Sequence, residues 1–168
     1  MKIAFLIFAM AVRLAASDVG KSGFEFRGLR TGLNESAIRA ALLERHRQES
    51  IGKRLPECPY LSGGQVCGVG NYSASLNANG IVWSVNYTFV TKQPESPRSF
   101  VEAFTAKYGR PTITVRTYVN AFREIRGQEF LWDRGTQRLS VAEFCGDVET
   151  HCVTITDTAY APKGRPAI

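Results

Sequence analysis

The stretch Ser99-Phe-Val-Glu-Ala-Phe-Thr-Ala-Lys-Tyr-Gly-Arg-Pro111 reads as a complete helix, with a start, one apolar face and a stop. Ser99 and Glu102 have the spacing of a capping box, in which the hydroxyl accepts from an orphan amide of the first turn and the carboxylate reaches back to the cap amide. Phe100, Phe104 and Tyr108 recur every fourth residue, so their rings stack on one face, flanked by Val101 and Ala103. A face this aromatic must be buried against something flat and apolar. Gly109 is able to take the left-handed conformation that closes the last turn, and Pro111 prevents the helix from resuming.

The flat partner is legible on either side. Upstream, Asn79-Gly80 is the dipeptide best suited to a tight type I′ hairpin turn. With Ala78 opposite Ile81, the register pairs Leu76 with Trp83, Ala74 with Val85 and Tyr72 with Tyr87, all on one face with Phe89. The other face carries Ser73, Ser75 and Asn77 against Val82, Ser84, Asn86 and Thr88, and is mostly polar and free of charge. Downstream, Ile113, Val115, Thr117 and Val119 alternate as one strand. A turn at Gly135-Thr136 then sets Trp132 opposite Leu139 and Phe130 opposite Val141, with Asp133 and Arg138 paired on the outer face. Continuing the meander puts Phe144 opposite Val153 and Ala142 opposite Ile155. That requires either a bulge or final strands covered on both sides.

A first helix begins at Asn34, with Leu33 placed to staple onto Ile38 and an apolar stripe of Ile38, Ala41 and Leu42. Thr91 to Arg98, with Pro94 and Pro97, reads as a connector. The chain therefore runs helix, strands, connector, helix, strands. This predicts an α+β domain over residues 18–161, in two modules (about 23–93 and 98–161) that share one antiparallel sheet with both helices on one face, followed by a flexible tail over 162–168.

Residues 1–17 resemble a secretory signal peptide, with Lys2, an apolar run from Ile3 to Val12 and small residues before an expected cleavage near Ala16 or Ser17. The run is about half the ~20 residues a membrane-spanning helix needs, so no membrane span is expected. In an exported chain the four cysteines favour disulfides. Of the three possible pairings the sequence-local one is preferred: Cys58 with Cys67 closes a Pro-Gly-Gly loop, and Cys145 with Cys152 clips adjacent strands. A zinc site from these cysteines and His151 lacks the paired Cys-x-x-Cys spacing, and no metal or other cofactor is expected.

The net charge of +6 has its densest part at Arg39, Arg45, Arg47, Lys53 and Arg54. These lie on or after the first helix without interleaved aromatics, the pattern of a solvated face, so nucleic acid is not the expected partner. Gly28-Leu-Arg-Thr-Gly32 is a turn-rich lead-in without the pattern of a phosphate loop. Asn34-Glu-Ser, Asn71-Tyr-Ser and Asn86-Tyr-Thr fit the N-glycosylation pattern and fit structural roles equally well.

The lead-in and helix start, Phe26-Arg-Gly-Leu-Arg-Thr-Gly-Leu-Asn-Glu-Ser-Ala-Ile38, resemble the start of the bacterial outer-membrane assembly lipoprotein modules of the SmpA/OmlA type. Those proteins carry a lipidated cysteine after the signal, which this chain lacks. The doubled layout is similar to that of the secreted β-lactamase inhibitor proteins, which present such a sheet to a partner enzyme. The export signal, the doubled α+β layout and the absence of a convergent polar site point to a secreted or periplasmic, non-catalytic binding module with a protein or cell-envelope partner. The expected contact surface is the uncharged sheet face with Ser75, Ser84, Asn86 and Thr88, whose short side chains lose little rotamer entropy when covered. The alternative is a small secreted hydrolase similar to the microbial ribonucleases, in which Glu143 and His151 exchange a proton beside an arginine such as Arg138. It requires those three side chains to converge.

Overall fold

A computed structural model describes residues 23–49, 55–61, 64–91, 95–119, 124–145 and 149–163. The signal-peptide reading, Lys53, Arg54 and the last five residues of the tail lie outside them. Two helices, α1 (Glu35–Glu49) and α2 (Pro97–Tyr108), accompany eight strands. These are β1 (Tyr60–Leu61), β2 (Gly64–Val69), β3 (Tyr72–Leu76), β4 (Val82–Val90), β5 (Thr112–Val119), β6 (Glu124–Arg134), β7 (Gln137–Ala142) and β8 (Thr150–Asp157). All eight form one antiparallel sheet in the order β1-β2-β3-β4-β8-β7-β6-β5, an α+β fold in which the last strands of the two meanders, β4 and β8, pair. Among the described residues, no helix is long and apolar enough to cross a membrane.

Asn34 caps α1, its Oδ1 accepting from the Ala37 amide at 2.9 Å, and Ile38 and Leu42 are fully buried. The aromatic stripe of α2 is present, with Phe100 stacked on Phe104 and Phe104 on Tyr108 at centroid distances of 6.3 and 6.1 Å. Its start differs from the expectation. Ser96 is the cap, Pro97 the first helical residue and Ser99 the reciprocal partner in a Ser96–Ser99 box, so the helix begins inside the supposed connector. Proline's fixed φ and missing N–H suit that first position. Glu102, freed from capping, holds Arg98 at 2.9 Å instead. At the other end Gly109, at φ +90°, donates its amide to the Thr105 carbonyl.

The first hairpin corrects two readings that offset each other. Only Gly80 of Asn79-Gly80 has positive φ, so the turn is not type I′. Asn77 pairs with Ile81 across a three-residue loop, its Oδ1 accepting from the Asn79 and Ile81 amides. This shifts the register by one, so Leu76 pairs with Val82 rather than Trp83. A bulge beyond Leu76 then restores the expected pairs Ala74–Val85 and Tyr72–Tyr87. Val82 enters the main core, whereas Trp83, though buried, lies outside it and turns to the opposite face, contrary to the expectation.

The second hairpin has the expected register, including Trp132–Leu139, Phe130–Val141 and an Asp133–Arg138 ion pair of 2.7 Å. The pairs beyond it are corrected. Val141 faces Val153, Leu139 faces Ile155 and Ala142 faces Cys152, while Phe144 packs over Gly127 and leaves no room for a Cβ there. No bulge is needed, because β7 and β8 are covered on both faces.

The lead-in is more than a turn. Phe24, Phe26 and Leu29 are buried, and Phe26 and Leu29 exchange both backbone hydrogen bonds at 2.9 Å around Arg27-Gly28, both at positive φ. For arginine that conformation is strained, and the surroundings hold it there. The Arg27 guanidinium lies 5.0 Å from the Phe26 and Tyr87 ring centroids. It donates to Glu95 at 2.5 Å, to Glu49 at 3.2 Å and to the Tyr72 hydroxyl at 2.5 Å. Tyr72 donates in turn to Glu49, and Tyr87 to Glu95. One side chain thus clasps the lead-in, the end of α1, two adjacent strands and the approach to α2.

Cys58–Cys67 and Cys145–Cys152 are bonded as expected, consistent with an oxidising, extracytoplasmic compartment. Peptide mapping of unreduced protein is expected to recover these two linkages and no free thiol at any of the four positions. A linkage between the two halves of the chain would contradict the β7–β8 register as well as the pairing.

Candidate functional site

Alternation along the strands gives the sheet two unlike faces. One carries Tyr72, Tyr87, Phe89, Trp132, Leu139, Val141, Val153 and Ile155, which share a single core with Ile38, Leu42, Phe100 and Phe104 of the helices. The other is polar. Because β4 pairs with β8 and β8 with β7, Ser84, Thr156 and Arg138 fall on one rung and Asn86, Thr154 and Ser140 on the next. On the second rung the Thr154 hydroxyl donates to Asn86 Oδ1 at 2.9 Å.

A cavity of about 220 Å³ opens in the middle of this face. Its apolar walls are the Trp83 ring, Ala142 and the Cys145–Cys152 disulfide, and its hydroxyls come from Ser84, Ser140, Thr154 and Thr156. The bulge at β4 is what turns Trp83 into it. Glu129 of β6 and Arg116 of β5, diagonal neighbours across the ladder, supply the charge, with Arg116 Nε donating to Glu129 Oε2 at 2.5 Å. The Glu129 side chain is only 7% exposed, against 37% for Arg116. The pair is therefore a buried carboxylate held by a cation at the rim. Arg138 belongs to the same field. Its hydrogen bond to Asp133 raises its already high pKa, with Glu129 adding to the effect and Arg116 opposing it.

Of the residues expected to bind, Ser84 and Asn86 line this cavity. Ser75 pairs with Ser84, and Thr88 pairs with Cys152, on the same face beside it. Glu143, His151 and Arg138 are not brought together. His151 sits opposite Phe89 on the core face, its Nε2 2.7 Å from the Thr91 hydroxyl and its Nδ1 against the Glu143 backbone carbonyl. The Glu143 carboxylate accepts from the Gln128 amide. Arg138 pairs with Thr156, five residues further along β8, or about 16 Å at the strand rise, and on the opposite face. Proton exchange between a carboxylate and an imidazole beside that arginine has no geometry here. On α1, Arg39 pairs with Glu35 at 2.8 Å and Arg47 reaches Glu44 at 4.0 Å, as solvated helix side chains do.

Sequence reading missed Trp83 as a wall of the cavity, along with Arg116, Glu129, Ser140, Thr154 and Thr156. Glu129 lies between the exposed Gln128 and the half-buried Phe130, so nothing local marked it as a buried carboxylate. The pairing of β4 with β8 that gathers the others has no local signature.

No family model matches the chain, and no curated protein matches it. Among solved structures it is similar to a DUF4309 family protein, YjgB, from Bacillus subtilis subsp. subtilis str. 168, at 16% identity and a TM-score of 0.37, over 74% of this chain and 78% of that one. These comparisons do not specifically support either the assembly-lipoprotein or the β-lactamase-inhibitor resemblance.

Proposed function

We propose that this chain is a secreted or periplasmic binding module without catalytic chemistry, built from two related helix-and-meander units with both helices on one face, and that it recognises a protein or envelope partner through its polar sheet face. The observation that carries the reading is the cavity at the centre of that face, bounded by short uncharged side chains and a neutralised Arg116–Glu129 pair. Ser, Thr and Asn around a central depression can be covered by a partner with little loss of rotamer entropy and without stripping water from unpaired charge. The exposed long side chains of α1 lack both advantages.

Affinity capture from envelope and culture extracts, quantified against charge-inserted variants, tests this. Ser84→Glu is expected to abolish capture of the partner enriched by the unmodified protein, with little change in stability, because the half-buried Ser84 lies at the cavity. Arg45→Glu on α1 is expected to retain capture and its salt dependence. Loss of binding at Arg45 with Ser84 spared would refute the sheet face and make the basic helix the contact.

A further inference from the structure

The sheet ends in two unlike edges. At one, β1 is two residues long, which blunts the row of unpaired backbone groups that an edge strand presents. At the other, β5 runs for eight residues in unbroken register with β6, and among the described residues no strand lies beyond it. This edge has none of the usual protections. It contains no proline and no bulge, its one charged side chain is Arg116, and Thr112, Ile113, Thr114 and Val115 are all exposed. Ile113 and Val115 are 56% and 64% exposed, although β-branched residues favour strands because they pack against neighbours there. On the core side Val153, Val141, Phe130 and Ile113 form one rung across β8, β7, β6 and β5, so an apolar row stops at an open end.

We infer that β5 is a self-association edge, on which a second copy of this chain adds its own β5 in antiparallel pairing. A copy is the fitting occupant because the strand is complementary to itself. Residues directly opposite in an antiparallel pair share a face, so odd positions meet odd ones and even meet even. A twofold axis at Thr114 sets Ile113 against the partner's Val115 and Val115 against the partner's Ile113, while Thr112 meets the partner's Arg116. Moving the axis to Val115 would oppose Ile113 to Thr117, and moving it to Arg116 would bring two guanidiniums face to face, which is destabilising. The Thr114 register instead continues the apolar rung on both sides of the axis and leaves each Arg116 beside Glu129 of its own chain. The axis stands perpendicular to the sheet, so the two polar faces look the same way and their cavities open on one surface. Pairing along an edge covers neither face, and the inference is independent of the binding reading above.

A single strand edge is small beside the ~1,600 Å² of a standard interface, so association is expected at ~10–100 μM. In sedimentation velocity of the intact protein, the weight-average coefficient should rise across that range from the monomer value towards that of a dimer. Val115→Lys puts a charge at an exposed contact position. It should raise the dissociation constant at least roughly tenfold, with the thermal midpoint of dilute protein unchanged. The register has its own test, because the four native cysteines are all in disulfides and an added one is the sole thiol. Thr114→Cys should be joined to its copy by a short bismaleimide, since directly opposed Cβ atoms lie about 5 Å apart. Thr117→Cys, whose copies stand about 20 Å apart along the strands, should not be joined. A monomer at every concentration is what a segment of the same chain, or another protein's strand, on β5 would give, and it would overturn the inference. Undiminished association of Val115→Lys, or equal cross-linking at the two positions, would do so as well.

Discussion

Trp132→Ala is expected to lower unfolding free energy by about 3–5 kcal/mol, the range for emptying a large aromatic site in a core. Trp132 is 4% exposed, meets Phe104 edge-on at 5.8 Å, and donates its indole N–H to the Gly109 carbonyl at 2.7 Å. It therefore fixes the C-terminal end of α2 to the sheet by packing and by satisfying a carbonyl at the helix end. Trp132→Phe keeps most of the packing and loses the hydrogen bond, so about 1–2 kcal/mol is expected. Urea unfolding at constant m-value measures both. A loss within error for the alanine variant would mean that α2 does not rest on this strand.

The second large effect is at Arg27. Arg27→Ala removes the cation from Glu49 and Glu95 and the donor from Tyr72, and withdraws the guanidinium from three aromatic rings. About 2–3 kcal/mol is expected at neutral pH. The value stays below that for a deeply buried pair because the side chains of Arg27, Glu49 and Glu95 keep 27%, 31% and 29% exposure. The pH dependence carries a sign. Burial pushes the Glu95 carboxyl up, but the hydrogen bonds from Arg27 and Tyr87 and the guanidinium charge outweigh it and hold the group below the ordinary carboxylate range. Near its ordinary pKa the unfolded chain then binds more protons than the folded one, so Glu95 stabilises the fold above that range. The contribution is lost as pH falls through the folded pKa. In Arg27→Ala this acid limb should flatten. At the alkaline end burial, followed by the hydrogen bond with Glu95, pushes the Tyr87 phenol from 10.0 up to about 12. Tyr72 is raised for similar reasons, burial first. The unfolded chain loses these protons first, so stability falls as pH rises from about 10 through 12. Denaturant midpoints across pH show whether both limbs exist.

Local chemistry explains which parts of this fold were legible in sequence. The second hairpin could be read to the residue because Gly135-Thr136 is a two-residue loop that leaves one register open. The first was read correctly from Ser75 outward for an incomplete reason. An asparagine cap lengthened the loop by one residue and a bulge took the shift back, and neither changes the alternation on which the reading depended. Trp83 is the residue that pays no heed to that alternation, and it is a wall of the candidate site. The start of α2 was misplaced because Ser96-Pro97 and Ser99 each resemble a start, and proline was read as a breaker rather than as a first helical residue.

Phe24, Phe26 and Leu29 belong to no periodic element, so their burial could not be inferred from periodicity. Pairing of β4 with β8 joins residues more than sixty positions apart, such as Asn86 and Thr154, and carries no turn to announce it. Without that pairing the polar residues of the two halves remain two separate solvated faces. With it, Ser84 and Asn86 meet Ser140, Thr154 and Glu129 around one cavity. The uncharged residues of the polar face were thus legible in sequence, and the cavity at its centre was not.

The two tryptophans report on opposite faces of the sheet. The Trp132 indole N–H is engaged by Gly109 on the core side, whereas Trp83 lines the cavity on the polar side. In a ¹⁵N-labelled sample their indole resonances, distinguished with Trp132→Phe, report directly on where a captured partner sits. Binding through the polar sheet face predicts a large shift or broadening of the Trp83 signal on complex formation with the Trp132 signal unmoved. An unperturbed Trp83 in a saturated complex would contradict it.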